Sequence, residues 1–219
     1  PDLESAVSEI ASKCISCPKC QSECAFLSRY GDPKALLDAG DLTDPQFLKI
    51  AYSCSLCDLC AAVCPVGLRP ADLFLEMRRA AVDMDAAPLK QHARILAYEK
   101  RGTSRRYTYY SLPQNCDTVF FPGCTLPGTR PDQTRRLYDH LQTIVPNLGI
   151  VLDCCCKPSH DLGRTAFFEE MFLEMQSYLV GCGVKRVLVA CPNCYRTFSA
   201  YGDPLAVESV YERLIAHEL

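Results

Sequence analysis

Two identical cysteine runs constrain this chain more than any other feature of its sequence. Each run has the spacing C-x2-C-x2-C-x3-C, in a chain with 16 cysteines. Three cysteines at two-residue gaps can wrap one corner of a [4Fe–4S] cube, and the fourth ligand must come from elsewhere. Zinc sites normally use paired C-x2-C units and four ligands, so the spacing predicts two cubane clusters instead. The runs are Cys14, Cys17, Cys20 and Cys24, followed by Cys54, Cys57, Cys60 and Cys64.

The two runs are expected to exchange their last ligands. In the two-cluster ferredoxin pattern, the last cysteine of each run binds the cluster of the other run. Cys64 should therefore complete the first cube, and Cys24 the second. Pro65 follows the second run as that pattern requires, whereas Ala25 takes this place in the first run. Over about residues 10–85, the chain resembles the helical two-cluster module of heterodisulfide reductase C-type subunits and the iron–sulfur subunits of succinate dehydrogenase and glycolate oxidase.

Composition narrows the class of protein further. The chain has 219 residues, of which 48% are hydrophobic, enough for the core of one large or two small domains. A net charge of −3 argues against nucleic acid as a partner. No apolar run reaches the length of a membrane span, and because the first residues are neither basic nor apolar we expect no secretory signal. We therefore expect a cytoplasmic protein, either free or held at the membrane periphery by partner subunits, whose cysteines serve metal or redox chemistry.

The pattern of apolar residues predicts two domains of different architecture. No strand signal occurs before residue 117, so residues 1–85 are expected to form a helical domain and residues 86–116 a linker. Over residues 117–219, apolar strands alternate with helices, as in a Rossmann-like parallel sheet. The predicted fold class is thus α + α/β. The helices of the second domain are expected at about 131–144, 164–180, 193–200 and 207–218.

Cysteine follows each of the three strand-like runs of the second domain. The runs end near Phe121, Leu152 and Ala190. In open parallel sheets, ligands bind at the carboxyl ends of the strands, so these cysteines should converge at one edge. We call them the five-cysteine set: Cys124, Cys154, Cys155, Cys191 and Cys194.

The order and spacing of this set resemble the cysteine-rich CCG module of heterodisulfide reductase B- and D-type subunits and of related glycolate and lactate oxidase iron–sulfur subunits. The resemblance covers about residues 117–219. It implies that the five-cysteine set binds a third iron–sulfur centre, which in some members is a non-cubane [4Fe–4S] centre that reduces disulfides. Those members use two modules, and this sequence carries one. Cys156 stands where the family has glycine, and it could add a ligand or a reactive thiol.

Other interpretations of the second cysteine group remain open. Zinc could bind four of the five cysteines, because soft thiolates suit both zinc and iron–sulfur clusters. Cys191 and Cys194 also match a thioredoxin-like dithiol at the start of a helix. Cys116 and Cys182 belong to no motif and are expected to be buried as small hydrophobic residues.

The resemblances together predict an oxidoreductase subunit of the heterodisulfide reductase type. Electrons would pass through the two cubes to the third centre, with Cys155 and Cys194 as catalytic residues. His160 is a candidate proton donor, because disulfide reduction consumes protons and histidine is a common general acid, although a role in helix capping or in the loop is the ordinary alternative. The second hypothesis is a pure electron relay or assembly subunit with structural zinc. No G-x-G-x-x-G fingerprint occurs, so a flavin or membrane electron-transfer subunit is the expected partner.

Overall fold

The structure follows the predicted α + α/β class, with short helices first and a five-stranded sheet after them. The computed structural model describes residues 2–218. The chain divides into a first unit, which extends to Ala93 and includes Ser159–Thr165, and a second unit, which comprises Arg94–Pro158 and the chain from Ala166 onward. Among the helices within residues 2–218, none is long and apolar enough to cross a membrane.

Short helices make up the first unit. They are α1 (Leu3–Lys13), α2 (Lys19–Glu23), α3 (Ala25–Tyr30), α4 (Pro33–Ala39), α5 (Pro45–Lys49), α6 (Leu59–Ala62) and α7 (Pro70–Asp83), with 3-10 helices at Ile50–Ser53 and Leu89–His92. Frequent cap residues explain why the helices are short. At the start of α4, for example, the Asp32 side chain accepts hydrogen bonds from the amides of Lys34 and Ala35, and Pro33 occupies the first turn.

The core of the first unit forms around α7. Leu73, Phe74 and Met77 follow helical spacing and are fully buried there. The ring of Phe74 meets that of Phe26 edge-on, with the ring centroids 4.9 Å apart. The two cysteine runs pack against this same apolar cluster, so one core supports both.

One five-stranded sheet organises the second unit. Its strands are β1 (Tyr109–Ser111), β2 (Thr118–Phe121), β3 (Gly149–Leu152), β4 (Arg186–Val189) and β5 (Ala206–Ser209). The spatial order is β1-β3-β2-β4-β5, and every pairing is parallel except that between β1 and β3. The central strand β2 lies between β3 and β4 and is buried along its length, which explains its continuous apolar sequence.

Helices connect these strands and end the described chain. They are α8 (Ala93–Gly102), α9 (Thr125–Thr129), α10 (Pro131–Ile144), α11 (Lys157–Asp161), α12 (Thr165–Gly181), α13 (Pro192–Tyr201) and α14 (Val210–Glu218). α10, α12 and α13 agree closely with expected helices, whereas α8, α9 and α11 were not expected and α14 begins later than expected. Residues 206–209 form β5 rather than the start of a helix, because Val207 pairs with Val187 of β4.

The expectation that no strand precedes residue 117 is wrong. The stretch 86–116, which we expected to be a linker, contains both α8 and the edge strand β1. β1 has only three residues, too few for a periodic signal, and it pairs antiparallel with β3, with Tyr109 opposite Leu152. Antiparallel edge strands are common on sheets that are otherwise parallel. The predicted domain boundaries, residues 1–85 for the first domain and 117–219 for the second, stay predictions.

Candidate metal centres

The first cysteine run shares a pocket with the last cysteine of the second run. Cys14, Cys17, Cys20 and Cys64 line this pocket, and Cys60 borders it as well. Burial raises the pKa of the Cys20 thiol, and the nearby Cys17 and Cys14 raise it further. Four soft donors around one small pocket fit the ligand set of a [4Fe–4S] cube.

Cys24 lies with the second run rather than the first. The Cys54 thiol has its pKa raised by burial and, to a smaller extent, by the charges of Cys24 and Cys57. Cys60 behaves similarly, since burial and then the neighbouring Cys54 and Cys24 raise its pKa to about 11. Cys64 thus lies beside the first run and Cys24 beside the second, while the assignment of ligands to the two cubes stays a prediction.

Backbone geometry prepares the cysteine loops to hold negatively charged sulfur. The amide of Leu56 donates to the Cys54 sulfur at 3.4 Å, and the amide of Leu68 donates to the Cys64 sulfur at 3.3 Å. Ser16, Leu56 and Asp58 adopt positive φ angles, which non-glycine residues rarely do, and thus turn the chain tightly between cysteines. Such N–H···S bonds are one means by which proteins tune iron–sulfur centres.

A buried arginine fixes the backbone that leads into the second run. The Arg78 guanidinium on α7 donates to the carbonyls of Ala51 and Cys54, and also to that of Asp161 within the same unit. It also lies over the Tyr52 ring, 5.1 Å from the ring centroid. Burial lowers the pKa of Arg78. The planar fork of arginine suits this role, because one side chain satisfies several carbonyls at once.

The five-cysteine set lies at the carboxyl ends of β2, β3 and β4. The Cys194 thiol donates to the Cys155 sulfur at 3.5 Å. Gly123, with φ of 79°, lies tightly against the set, because a Cβ there would lie 3.1 Å from the Cys191 Cβ and 3.2 Å from the Cys194 sulfur. The thiols of Cys124 and Cys154 lie close enough to shift each other's pKa, as do those of Cys191 and Cys194. The sheet thus brings together sulfurs that are up to seventy positions apart in sequence, from Cys124 to Cys194.

Interactions between neighbouring thiols cause the largest pKa shifts in this set. The neighbouring Cys194 thiol lowers the pKa of Cys191 to about 5, and it also lowers the pKa of Cys155, to which it donates its one proton. The same contacts, together with burial, raise the pKa of Cys194. Five thiolates cannot all be charged in a buried site without a compensating cation. Soft, closely spaced and largely buried sulfurs fit an iron–sulfur centre or zinc.

The remaining predicted residues have separate environments. His160 lies on α11 in the part of the chain assigned to the first unit, where its Nδ1 is 2.9 Å from the Asp161 carboxylate. Its catalytic role stays a prediction. Cys116 is buried as expected, and its thiol donates to the Thr118 carbonyl at 3.2 Å. The expectation for Cys182 is wrong, because this residue is exposed in the turn that ends α12.

Sequence reasoning missed one acidic residue at the sheet edge. Glu99 on α8 is buried, and its carboxylate lies within 4.8 Å of the sulfurs of Cys154 and Cys156. It was overlooked because it falls in the stretch expected to be a linker. A helical interpretation of residues 93–102 would have drawn attention to a carboxylate on that helix.

Comparison with known protein families finds a match for the first cysteine-rich region only. The family model of the 4Fe-4S dicluster domain matches residues 10–68, which include all the cysteines of both runs. No curated protein and no solved structure matches the chain. The match and the geometry of the first unit agree on an iron–sulfur, ferredoxin-like protein with an electron-transfer role.

Proposed function

We propose that this iron–sulfur protein is an electron-transfer subunit of a heterodisulfide-reductase-like oxidoreductase. The observation that carries the proposal is the convergence of the five-cysteine set at one sheet edge, with Cys155 and Cys194 sulfurs 3.5 Å apart. A dicluster domain in the same chain supplies a plausible source of electrons for that site. Ferredoxin-type sites alone would need no such second set of soft donors.

In the first unit, the protein's part is to hold and tune two bound groups. [4Fe–4S] clusters supply one-electron transfer when bound. Cys14, Cys17, Cys20 and Cys64 are the proposed ligands of one, and Cys54, Cys57, Cys60 and Cys24 those of the other. The amides of Leu56 and Leu68 stabilise negative charge on the sulfurs to which they donate.

In the second unit, the five-cysteine set would hold a third iron–sulfur centre. A cavity of about 340 Å³ borders Cys124 and is lined by Tyr98 and Arg101, so a small molecule can approach this side of the set. For a disulfide substrate, two electrons and two protons break the S–S bond and yield two thiols. Cys155 and Cys194 are the proposed catalytic residues, and His160 is the proposed source of protons.

Partners and location follow from this role as further proposals. A flavin or membrane electron-transfer subunit would exchange electrons with the clusters. The protein would act in the cytoplasm, either free or attached to the membrane periphery through such subunits.

A structural zinc site is the second candidate for the five-cysteine set. The separation of 3.5 Å between the Cys155 and Cys194 sulfurs is close to the roughly 3.8 Å between two thiolates on a tetrahedral zinc ion. In that case the chain would be a pure electron relay or an assembly subunit, and only the first unit would be redox-active.

Metal and sulfide analysis of anaerobically purified protein separates the two candidates. Two cubes account for about eight iron and eight sulfide per chain. The proposed function predicts iron and sulfide clearly above this level. Iron at about eight per chain, together with one zinc that disappears in Cys155→Ser and Cys194→Ser, would contradict the redox role of the second unit.

A further inference from the structure

Helix α8 buries a carboxylate while it exposes an apolar side chain. Of its ten residues, all of which the structure describes, only Glu99 is buried, at 1% exposure. Ile95 on the same helix is 44% exposed. Glutamate is almost never fully buried unless it is paired or coordinates a metal. A buried glutamate is therefore a candidate metal ligand when other donor atoms lie beside it.

Two buried thiols surround the Glu99 carboxylate. The sulfurs of Cys154 and Cys156 and the carboxylate oxygen all lie within 4.8 Å of one another. Ligands of a tetrahedral zinc ion lie about 3.6–3.8 Å apart, given bonds of about 2.3 Å to sulfur and 2.0–2.2 Å to oxygen. Side-chain adjustments of about 1 Å or less would therefore place all three donor atoms around one ion.

The backbone of Cys156 shows that the thiol is held at this place at some cost. Its φ is 53°, in the left-handed region that glycine adopts without strain and cysteine seldom occupies. The side chain is fully buried, and its sulfur lies 3.5 Å from the Cys154 carbonyl. Residues in such conformations cluster at functional sites.

We propose that Glu99, Cys154 and Cys156 bind one divalent metal ion, of the zinc or ferrous class, in addition to the iron–sulfur centres. Two thiolates and one carboxylate suit Zn²⁺ or Fe²⁺, whereas Mg²⁺ and Ca²⁺ require oxygen ligands. The positive ion would balance the negative charges that these three donors bring into a buried site.

Two of the three donors lie outside the five-cysteine set, so the site is distinct from the proposed third centre. Cys154 belongs to both, since a thiolate sulfur has enough lone pairs to bridge two metal ions. Cys124, which lies close enough to Cys154 to shift its pKa, is a candidate for the fourth coordination position.

Zinc binding to the anaerobically purified, cluster-loaded full chain tests the proposal. The probe is Zn²⁺ alone, and X-ray absorption at the zinc edge excludes any contribution from iron. We expect one zinc per chain with two sulfur neighbours at about 2.3 Å and an oxygen neighbour at about 2.0–2.2 Å. Glu99→Gln and Cys156→Gly should each weaken zinc binding by more than about 10–100-fold, the usual loss when only an outer partner of a ligand is changed.

Matched variants keep the test specific. Cys156→Gly removes the thiol at a position whose backbone favours glycine, so the fold and the iron content should persist. Cys116→Ala removes a buried thiol elsewhere in the second unit, and Glu76→Gln alters a buried carboxylate in the first unit. Both control variants should bind zinc like the unchanged protein.

The outcomes separate this site from the proposed function. Zinc affinity that is unchanged in both Glu99→Gln and Cys156→Gly would overturn the site. Zinc bound by sulfur alone, and lost in Cys155→Ser instead, would overturn it and favour the structural zinc candidate. Zinc that depends on Glu99 and Cys156 in a protein with only two cubes would support the site and contradict the third iron–sulfur centre.

Discussion

The two cysteine-rich regions of this protein bring sulfur atoms together in opposite ways. In the first unit, tight loops with positive φ angles gather cysteines that are close in sequence, and one cysteine of the other run lies beside each group. In the second unit, a parallel sheet gathers cysteines from three separate strand ends. In the first unit, the spacing of cysteines along the sequence largely determines which sulfurs meet. In the second unit, the sulfurs meet only after the sheet has formed.

The surroundings of the sulfurs differ as well. Most cysteines of the two runs are half-buried, and Cys57 is exposed. At the sheet edge, Cys154, Cys155 and Cys194 are buried within the apolar core of the second unit. Exposure near the surface suits exchange of single electrons with a partner. Burial suits chemistry that must be kept away from water, because electrostatic interactions are stronger in a dry site.

Independence of the two regions gives the largest expected effect. Cys155→Ser or Cys194→Ser should abolish the third centre and leave about eight iron per chain, because the first unit has its own ligands. Iron and sulfide analysis measures the loss, with Cys116→Ala as the control that retains all iron. A Cys155→Ser protein that keeps its full iron content would show that Cys155 does not hold a third centre.

Exchange of ligands within the first unit gives the next effect. Cys24→Ser should damage the cube held by Cys54, Cys57 and Cys60 and spare the other, because the last cysteine crosses over. Electron paramagnetic resonance of the reduced protein can follow the two cubes separately when Cys17→Ser serves as the reference for the first cube. Identical spectra for Cys24→Ser and Cys17→Ser would show that no exchange occurs.

The stability of the backbone that leads into the second cysteine run should depend on Arg78. Arg78→Ala leaves buried carbonyls unsatisfied, so we expect the free energy of unfolding of the first unit to fall by about 3 kcal/mol, since hydrogen bonds to charged groups contribute about 1.5–3 kcal/mol each. Denaturant unfolding measures the change. Arg29→Ala, which removes an exposed guanidinium, should have little effect. Equal stability of the two variants would disprove the role of Arg78.

The stability of the sheet edge that carries Cys154 should depend on Tyr110, with a smaller effect than that expected for Arg78. Its hydroxyl donates to Asp153, whose carboxylate accepts from the Cys154 amide at 2.7 Å. Tyr110→Phe should lower the free energy of unfolding of the second unit by about 1–2 kcal/mol, since a half-buried carboxylate loses one donor. The control is Tyr109→Phe, because Tyr109 is exposed and should tolerate the change. A larger loss for Tyr109→Phe than for Tyr110→Phe would reverse this assignment.

The contrast also explains which features the sequence could predict. The spacing of the two runs is a local signal, and a family model detects it over residues 10–68. The strand ends near Phe121, Leu152 and Val189 could be placed because buried parallel strands have continuous apolar sequences. Their meeting at one edge then followed from the general geometry of such sheets.

The features that were missed depend on tertiary packing. β1 and β5 have three and four residues, so their strand character comes from pairing with β3 and β4 rather than from periodicity. Glu99 lies beside the thiols of Cys154 and Cys156 only because the fold packs α8 close to them. The sequence around Glu99 does not indicate this packing. Cys182 was misjudged because its exposure depends on the turn after α12.

Mössbauer spectroscopy of protein grown with ⁵⁷Fe tests the central claim most directly, since it counts each kind of iron in one spectrum. The claim is that two cubes in the first unit coexist with a third iron–sulfur centre at the sheet edge. We predict the signal of two [4Fe–4S] cubes together with additional iron, and Cys194→Ser should remove only the additional component. A spectrum that contains cubane iron at about eight per chain and nothing else, unchanged in Cys194→Ser, would contradict the claim.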